Sequence, residues 1–181
     1  MAEKPIIFST SEVRAILEGR KTQTRRVIKP QTPNGYAGDM LEQYCIYPID
    51  EYGTAESTFI YPPYNPGDLL WVREEVSKIW LKVKDIKVSR LQDITPWEAI
   101  QEGIESKGSK PCQFGDYEPV WKNYLYPKEP EKWLDSAVDS FRTLWDSINA
   151  KHGYGWDINP WVWRIEFKVV KKGGKVNVCE S

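Results

Sequence analysis

The side chains with the clearest capacity for chemistry lie in one short basic segment. Five cations fall within ten residues: Arg20, Lys21, Arg25, Arg26 and Lys29. The chain as a whole has a formal net charge of −1, so no global field attracts it to polyanions. A local cluster of this kind favours contact with phosphate or another anion. The alternatives are a solvated surface, or ion pairs with nearby carboxylates such as Glu12 and Glu18.

Other reactive side chains are scarce. His152 is the single histidine, which excludes a histidine-rich metal centre and makes a Ser-His-Asp triad improbable. Cys45, Cys112 and Cys179 are far apart and form no CxxC pair, which indicates reduced thiols of an intracellular protein. The N-terminus lacks a signal-peptide pattern, and no stretch approaches about 18 consecutive apolar residues. We therefore expect a cytoplasmic protein with no metal, no cofactor and no membrane partner.

The length predicts one domain, and the aromatic content is unusually high. At 181 residues the chain can bury a sizeable core, and we expect a single domain over residues 1–170 with a flexible tail over residues 171–181. Nine tryptophans and ten tyrosines must fill that core or line a site. Most tryptophans have the spacing of core residues, although one or two of them could stack on a base.

Three helices are predicted from caps and periodicity. Ser9 and Glu12 have capping-box spacing, and Gly19 is a natural C-terminal stop for the helix that they begin. Thr95 begins a second helix in the same way, with proline at the first helical position. An apolar stripe over residues 136–149 predicts the third.

Strands are predicted for residues 69–73, 80–88 and 161–169. Residues 31–65 and 105–132 show little periodicity and are predicted to be long, irregular excursions, the first with room for a small hairpin. The elements have no regular βαβ rhythm, and no glycine-rich phosphate loop follows a strand. The pattern therefore indicates an α+β protein and not a doubly wound nucleotide-binding fold.

Four blocks of the sequence, in this order along the chain, resemble the ASCH family. Residues 16–25 (ILEGRKTQTR) look like a helix that ends in G-x-K-T-x-T-x-R, and residues 66–74 (PGDLLWVRE) look like its "PGD, then strand" element. Residues 88–104 resemble the strand-to-helix element that follows. Residues 144–149, with the strand from Trp161 to Phe167, are similar to the ending of larger, often phage-borne members.

This resemblance implies a PUA-like β-barrel with flanking helices and a cleft between them. The family is associated with RNA-related roles, and one branch is described as ribonuclease-like. Some small bacterial members hydrolyse N4-acetylcytidine to cytidine and acetate with a lysine, a threonine and a glutamate. By motif, these catalytic residues correspond to Lys21, Thr24 and Glu102.

The implied chemistry is reasonable for these residue types. A threonine hydroxyl attacks only after a base takes its proton, and a lysine serves as base where desolvation or neighbouring cations lower its pKa. In a plain strand Lys21 and Thr24 would point to opposite faces, so the catalytic interpretation requires a turn or bulge. The end of a helix at Gly19 makes such a turn credible. Otherwise both are ordinary residues of a basic strand.

Two functions of different classes follow. In the first, the protein hydrolyses an N4-acylated cytidine with Thr24 as nucleophile, Lys21 as base and Glu102 as acid or orienting group. In the second, the cleft binds RNA or a modified cytidine nucleoside without turnover, and ribonuclease-like action is a third, weaker possibility. The predicted nucleic-acid or anion contacts and cleft residues are Arg20, Arg25, Arg26, Arg73, Trp71 and Glu74.

Overall fold

The computed structural model describes residues 2–31, 36–40, 43–47, 60–72, 78–112 and 116–173. In those ranges the helices and strands are β1 (Glu3–Ile6), α1 (Thr10–Leu17), β2 (Gln23–Val27), β3 (Tyr36–Met40), β4 (Gln43–Tyr47), β5 (Leu69–Val72), β6 (Lys78–Arg90), α2 (Pro96–Gln101), β7 (Ser106–Pro111), β8 (Tyr117–Trp121), α3 (Ala137–Asn149) and β9 (Trp161–Gly173). Short 3₁₀ turns occupy Leu91–Asp93, Pro130–Lys132, Ala150–His152 and Trp156–Ile158.

The helices begin where the caps predict. Ser9 and Thr95 each accept a hydrogen bond from the backbone N–H of a glutamate three residues on, and the carboxylate of that glutamate accepts one from the backbone N–H of the cap residue. Ser136 caps α3 in the simpler one-way manner. Gly19 follows α1 in the left-handed region, at φ +78°, which a glycine adopts without strain.

A mixed five-stranded sheet, in the order β1-β5-β6-β9-β2, forms the centre of the protein. Only the β1–β5 pair is parallel, and long antiparallel β6 and β9 form its spine. The α+β class is therefore confirmed. The predicted closed barrel is not observed in the described residues, because β1 and β2 lie at opposite edges of the sheet and do not pair.

Two hairpins stand outside this sheet. β3 pairs with β4 inside the first excursion, and β7 pairs with β8 inside the second. The prediction that the second excursion is irregular is therefore wrong for residues 106–111 and 117–121, where glycine, serine and proline hide the alternation of a strand. β9 continues to Gly173, three residues beyond the predicted end of the domain, and residues 174–181 lie outside the described ranges.

Two apolar cores are separated by the plane of the sheet. The first packs α1 against the sheet, with Ile16, Leu81 and Phe167 among its fully buried members. The second packs α2 and α3 around Leu91, Phe141 and Trp145. β9 contributes to both cores because its side chains alternate between the two faces of the sheet. The edge strand β2 lies in the same sheet, with α1 on one face and the two other helices on the other.

Candidate functional site

A tight turn between α1 and β2 brings the catalytic candidates together. The backbone N–H groups of Arg20 and Lys21 both donate to the Ala15 carbonyl oxygen, at 2.9 and 3.0 Å. Lys21 then forms an isolated β-bridge with Glu102 before β2 begins at Gln23. Lys21 is therefore not in a regular strand with Thr24, and the turn that the catalytic hypothesis requires is present.

The Lys21 side chain is buried and bound to carboxylates. Only 3% of the residue is exposed. Its Nζ donates to the Glu102 carbonyl oxygen at 2.9 Å and to Glu102 Oε2 at 3.1 Å, and Glu12 Oε1 lies 3.5 Å away. The charged groups closest to Lys21 Nζ are therefore two carboxylates, although arginines flank this lysine in the sequence.

Glu102 joins Lys21 to a second buried cation. Its Oε1 accepts a hydrogen bond from Arg25 Nη1 at 2.9 Å, and Arg25 Nη1 also donates to Gln23 Oε1 at 3.0 Å. The side chains of Lys21, Arg25 and Glu102 are each 3% exposed or less. Removing Glu102 would leave both buried cations without the carboxylate that they share, which is costly because water cannot solvate them there.

Gly103 permits the close approach of these segments. Its φ is +87°, and a Cβ atom built on it would lie 2.8 Å from Lys21 Cβ and 3.1 Å from Ala15 Cβ. Real Cβ atoms do not approach so closely, and L-residues rarely adopt this φ. A glycine directly after Glu102 is therefore required for the Lys21 bridge to form.

The two capping-box glutamates complete the ionic network. Glu98 Oε2 lies 3.2 Å from Arg25 Nη2, and its Oε1 accepts a hydrogen bond from Arg164. Glu12 contacts Lys21 as described above. Three cations, Lys21, Arg25 and Arg164, thus face three glutamates, and the formal charges of these six groups cancel.

Both capping glutamates are held in the ionised form. Burial would raise the pKa of Glu98, but the Thr95 N–H and the Arg25 and Arg164 guanidinium groups lower it below its ordinary value. Burial likewise opposes ionisation of Glu12, yet the Lys21 ammonium, the Ser9 N–H and the Arg26 guanidinium bring its pKa below the ordinary value. Glu12 and Glu98 therefore contribute negative charge to the network at neutral pH.

A cavity of about 360 Å³, here called the Lys21 cavity, opens beside this network. One wall is polar and contains Glu12, Lys21, Thr24, Arg25 and Glu102. The facing wall is the apolar stripe of α3, with Phe141, Leu144, Trp145 and Ile148. Its remaining lining residues are Arg26, Val27, Lys29, Asn149, His152 and Tyr154. This volume lies within the range typical of small-molecule sites, and its lining of apolar surface with a few convergent polar groups is also typical.

Thr24 contributes the hydroxyl group of the polar wall. It lies in β2 opposite Ile165 of β9, and the residue is only 2% exposed. Among the residues that the structure describes, its hydroxyl group has no hydrogen-bond partner, although it lines the cavity. Lys21, Thr24 and Glu102, which the sequence blocks put forward as a set, therefore meet at one cavity.

The remaining cations of the basic segment divide into two groups. Arg20 pairs with Glu18 at 2.5 Å and donates to the Gly103 carbonyl oxygen, so it does not line the Lys21 cavity. The alternative prediction that cations of this segment pair with Glu18 and Glu12 is therefore correct for Arg20 and Lys21. Arg26 and Lys29 line the cavity, and neither forms an ion pair within the described ranges.

The other predicted cleft residues are not brought to the cavity. Trp71 lies in β5, which two strands separate from β2, and it is 37% exposed without lining the cavity. Arg73 and Glu74 fall outside the described residues. Of the tryptophans, Trp145 is the one that lines the cavity, where its indole N–H donates to the Tyr154 carbonyl oxygen at 2.7 Å.

Sequence reasoning did not identify several residues of the site. Glu98 was interpreted only as a helix cap, although the two oxygens of a carboxylate can serve a cap and a cation together. Glu12 was named both as a cap and as a possible ion-pair partner of the basic segment. Gln23 and Arg164 had no local signal, because their partners are distant in sequence. Phe141 was recognised as part of an apolar stripe, and nothing in that pattern indicates that the stripe borders a cavity.

Comparison with known proteins gives two structural likenesses. No family model and no curated protein sequence matches the chain. An ASCH domain from Lactobacillus crispatus JV V101 has 13% sequence identity and a TM-score of 0.43, over 93% of this chain and 79% of that one. The hypothetical protein PH0355 has 16% identity and a TM-score of 0.40, over 93% and 99% of the two chains. The first of these two structures is named as a domain of the family that the four sequence blocks resemble.

Proposed function

We propose that the protein hydrolyses the amide of an N4-acylated cytidine in the Lys21 cavity. The observation that carries this proposal is the meeting of Lys21, Thr24 and Glu102, from segments about eighty residues apart, at one cavity of nucleoside size. The resemblance to ASCH hydrolases supplies the substrate class. The flat apolar wall of α3 suits the face of a pyrimidine ring, and the polar wall suits its acylamino edge.

The charge of the innermost part of the cavity favours a neutral group there over a phosphate. Lys21 and Arg25 are already compensated by glutamates, so the innermost part of the cavity carries little net charge. A nucleoside places no phosphate there. Binding a phosphate group at that depth would bring it against Glu102 and Glu12, at a cost in repulsion.

The proposed reaction begins with proton transfer inside the Lys21–Glu102 pair. The 3.1 Å contact from Lys21 Nζ to Glu102 Oε2 is a route for a proton to pass to Glu102 and leave a neutral amine. That amine accepts the proton of the Thr24 hydroxyl as Oγ bonds to the acyl carbon. The bond from that carbon to N4 breaks as Glu102 returns a proton to N4, which releases cytidine and leaves the acyl group on Thr24.

A water molecule completes the cycle by the reverse route. It attacks the ester carbon, gives one proton to the Lys21–Glu102 pair, and the Thr24 oxygen leaves and is reprotonated. The products are the free carboxylic acid and the original enzyme. Arg25, fixed by Glu98 and Glu102, acts as a positioning residue for the carboxylate and need not touch the substrate.

Turnover of N4-acetylcytidine by the purified protein, followed as cytidine release, tests this function. Thr24→Val keeps the shape of the side chain and removes the nucleophile, so kcat should fall by about 10³-fold or more. Thr24→Ser keeps a hydroxyl group and should retain measurable turnover. The matched control is Thr22→Val, since Thr22 lies outside the cavity lining and its backbone alone bonds Gln101 and Phe167.

The outcomes separate the enzyme from a binding module. Tight binding of N4-acetylcytidine with no cytidine release from the wild type would replace the hydrolase by a binding protein for a modified base. Arg26 and Lys29, which line the cavity and form no ion pair with any described residue, are the observation that favours RNA as the ligand in that case. Equal turnover by the wild type and by folded Thr24→Val would remove Thr24 as the nucleophile.

A further inference from the structure

We propose that the substrate of this site is an N4-acylated cytidine within an RNA strand, with a phosphodiester on Arg26 and a neighbouring base in a second hollow. This inference rests on the proposed function and extends it, because a free nucleoside would fill only the Lys21 cavity. It is carried by the position of Arg26 between two hollows and by the chemistry of the second one.

Arg26 lines both hollows. It borders the Lys21 cavity and also a hollow of about 290 Å³, here called the Tyr64 hollow. The other lining residues of the Tyr64 hollow are Pro5, Ile6, Ile7, Pro63 and Tyr64. A ligand longer than one nucleoside that leaves the Lys21 cavity on this side therefore passes the Arg26 guanidinium.

Arg26 has hydrogen-bonding capacity to spare. One of its donors, on Nη2, bonds the Ile7 carbonyl oxygen at 2.6 Å, and its guanidinium carbon lies 5.1 Å from the centre of the Phe8 ring. These contacts fix the head group. A guanidinium has five N–H donors in a planar fork that matches phosphate, so the remaining ones are available to an anion. Within the described residues no carboxylate is paired with it, in contrast to Arg25.

The Tyr64 hollow has the properties of a base platform. Tyr64 is half-buried, and its hydroxyl group donates to the Pro5 carbonyl oxygen at 3.1 Å, which fixes the ring. Burial raises the pKa of Tyr64, and the nearby Arg26 guanidinium opposes that rise. Ile7 lines the same hollow and is 64% exposed. Stacking and apolar contact with a base would cover both side chains.

Charge complementarity selects a nucleic-acid strand as the occupant. Arg26 is the single charged residue in the described lining of the Tyr64 hollow, so that part of the lining contains no carboxylate. An apolar peptide or lipid offers no anion to Arg26, whereas a phosphodiester followed by a base matches the cation and the apolar surface in turn.

Equilibrium binding to two probes tests the inference: the nucleoside N4-acetylcytidine, and an RNA trinucleotide with N4-acetylcytidine between two uridines. Thr24→Val protein serves for binding and the wild type for turnover. We expect the trinucleotide to bind about tenfold or more tightly than the nucleoside, since one stacked base contributes roughly this factor. Its affinity should also fall with salt with a logarithmic slope of about −0.7, the value for one single-strand phosphate contact.

Three variants distinguish this role from a structural one. Arg26→Gln should bring the affinity ratio of trinucleotide to nucleoside towards one and abolish the salt slope, and Arg26→Lys should restore part of that slope. Ile7→Asp, at an exposed position, should lower the ratio without disturbing the core. Arg142→Gln is the matched control, because Arg142 pairs with Asp157 on the surface and lines neither hollow, so it should leave the ratio unchanged.

The results separate this inference from the function on which it rests. Equal affinity of the two probes, or a ratio unaffected by Arg26→Gln and Ile7→Asp, would overturn the strand-binding inference and leave nucleoside hydrolysis intact. Neither binding nor turnover of either probe would overturn both. Preferred binding of the trinucleotide without turnover would support the strand site and reject the hydrolase.

Discussion

The two walls of the Lys21 cavity are stabilised in opposite ways. The α3 wall presents Phe141, Leu144 and Trp145 from a single helix, and these side chains pack into the second apolar core. The facing wall buries Lys21 and Glu102, which come from distant segments and depend on one another for charge compensation. An apolar wall loses stability in proportion to the volume removed, whereas an ionic wall fails when one partner is lost.

The largest effect is expected from Glu102→Ala. This change leaves Lys21 and Arg25 buried without their shared carboxylate, so the free energy of unfolding should fall by about 3–5 kcal/mol. Urea denaturation of the two proteins measures it. Glu105→Ala is the control, since Glu105 pairs with Lys107 and Lys122 near the surface and should cost less than about 1 kcal/mol. Equal losses in the two variants would mean that the Glu102 network is solvated.

A smaller loss is expected on the apolar wall. Leu144→Ala removes part of a half-buried side chain, and the free energy of unfolding should fall by about 2 kcal/mol, the lower end for leucine. Ile148→Ala, where the side chain is 43% exposed, should cost clearly less. Because this wall carries no charge, the Leu144→Ala loss should be the same at low and high salt. A salt-dependent loss would contradict the comparison between the walls.

The smallest effect concerns pH. The pKa of Glu98 is lowered from 4.5 in the folded protein, so its ionisation stabilises the fold above that pH. The contribution is lost as the pH falls through the folded-state pKa, because the unfolded chain then binds the proton more readily. The stability difference between wild type and Glu98→Gln should therefore shrink as the pH falls below 4.5. Urea midpoints across this range measure it, and a constant difference would exclude Glu98 as a contributor to acid denaturation.

The comparison also explains what the sequence could predict. The apolar wall was recognisable because helical periodicity and a cap are local signals, and residues 136–149 contain both. The set of Lys21, Thr24 and Glu102 was recognisable only through a family resemblance. No local pattern connects Lys21 to a carboxylate that lies about eighty residues away.

Non-local pairing accounts for the parts that were missed. The basic segment suggested an open anion site, yet two of its cations are buried in ion pairs with glutamates in α2 and at its C-terminal cap, far away in sequence. The expected barrel depended on the family resemblance, and strand order is a long-range property that alternation does not encode. The β7–β8 hairpin was hidden by residues such as Gly108 and Pro111, which are depleted in strands.

The double use of the capping glutamates has a consequence for local unfolding. The carboxylates of Glu12 and Glu98 each accept a hydrogen bond from the cap residue at the start of a helix, and each also forms an ion pair with a buried cation. Fraying of either helix start therefore releases a cation inside the site, and loss of that cation loosens the helix start. The first turns of α1 and α2 and the ionic wall should thus open as one cooperative unit. Amide hydrogen exchange at these two turns would therefore report whether the site is intact, although the backbone of these turns does not contact the substrate.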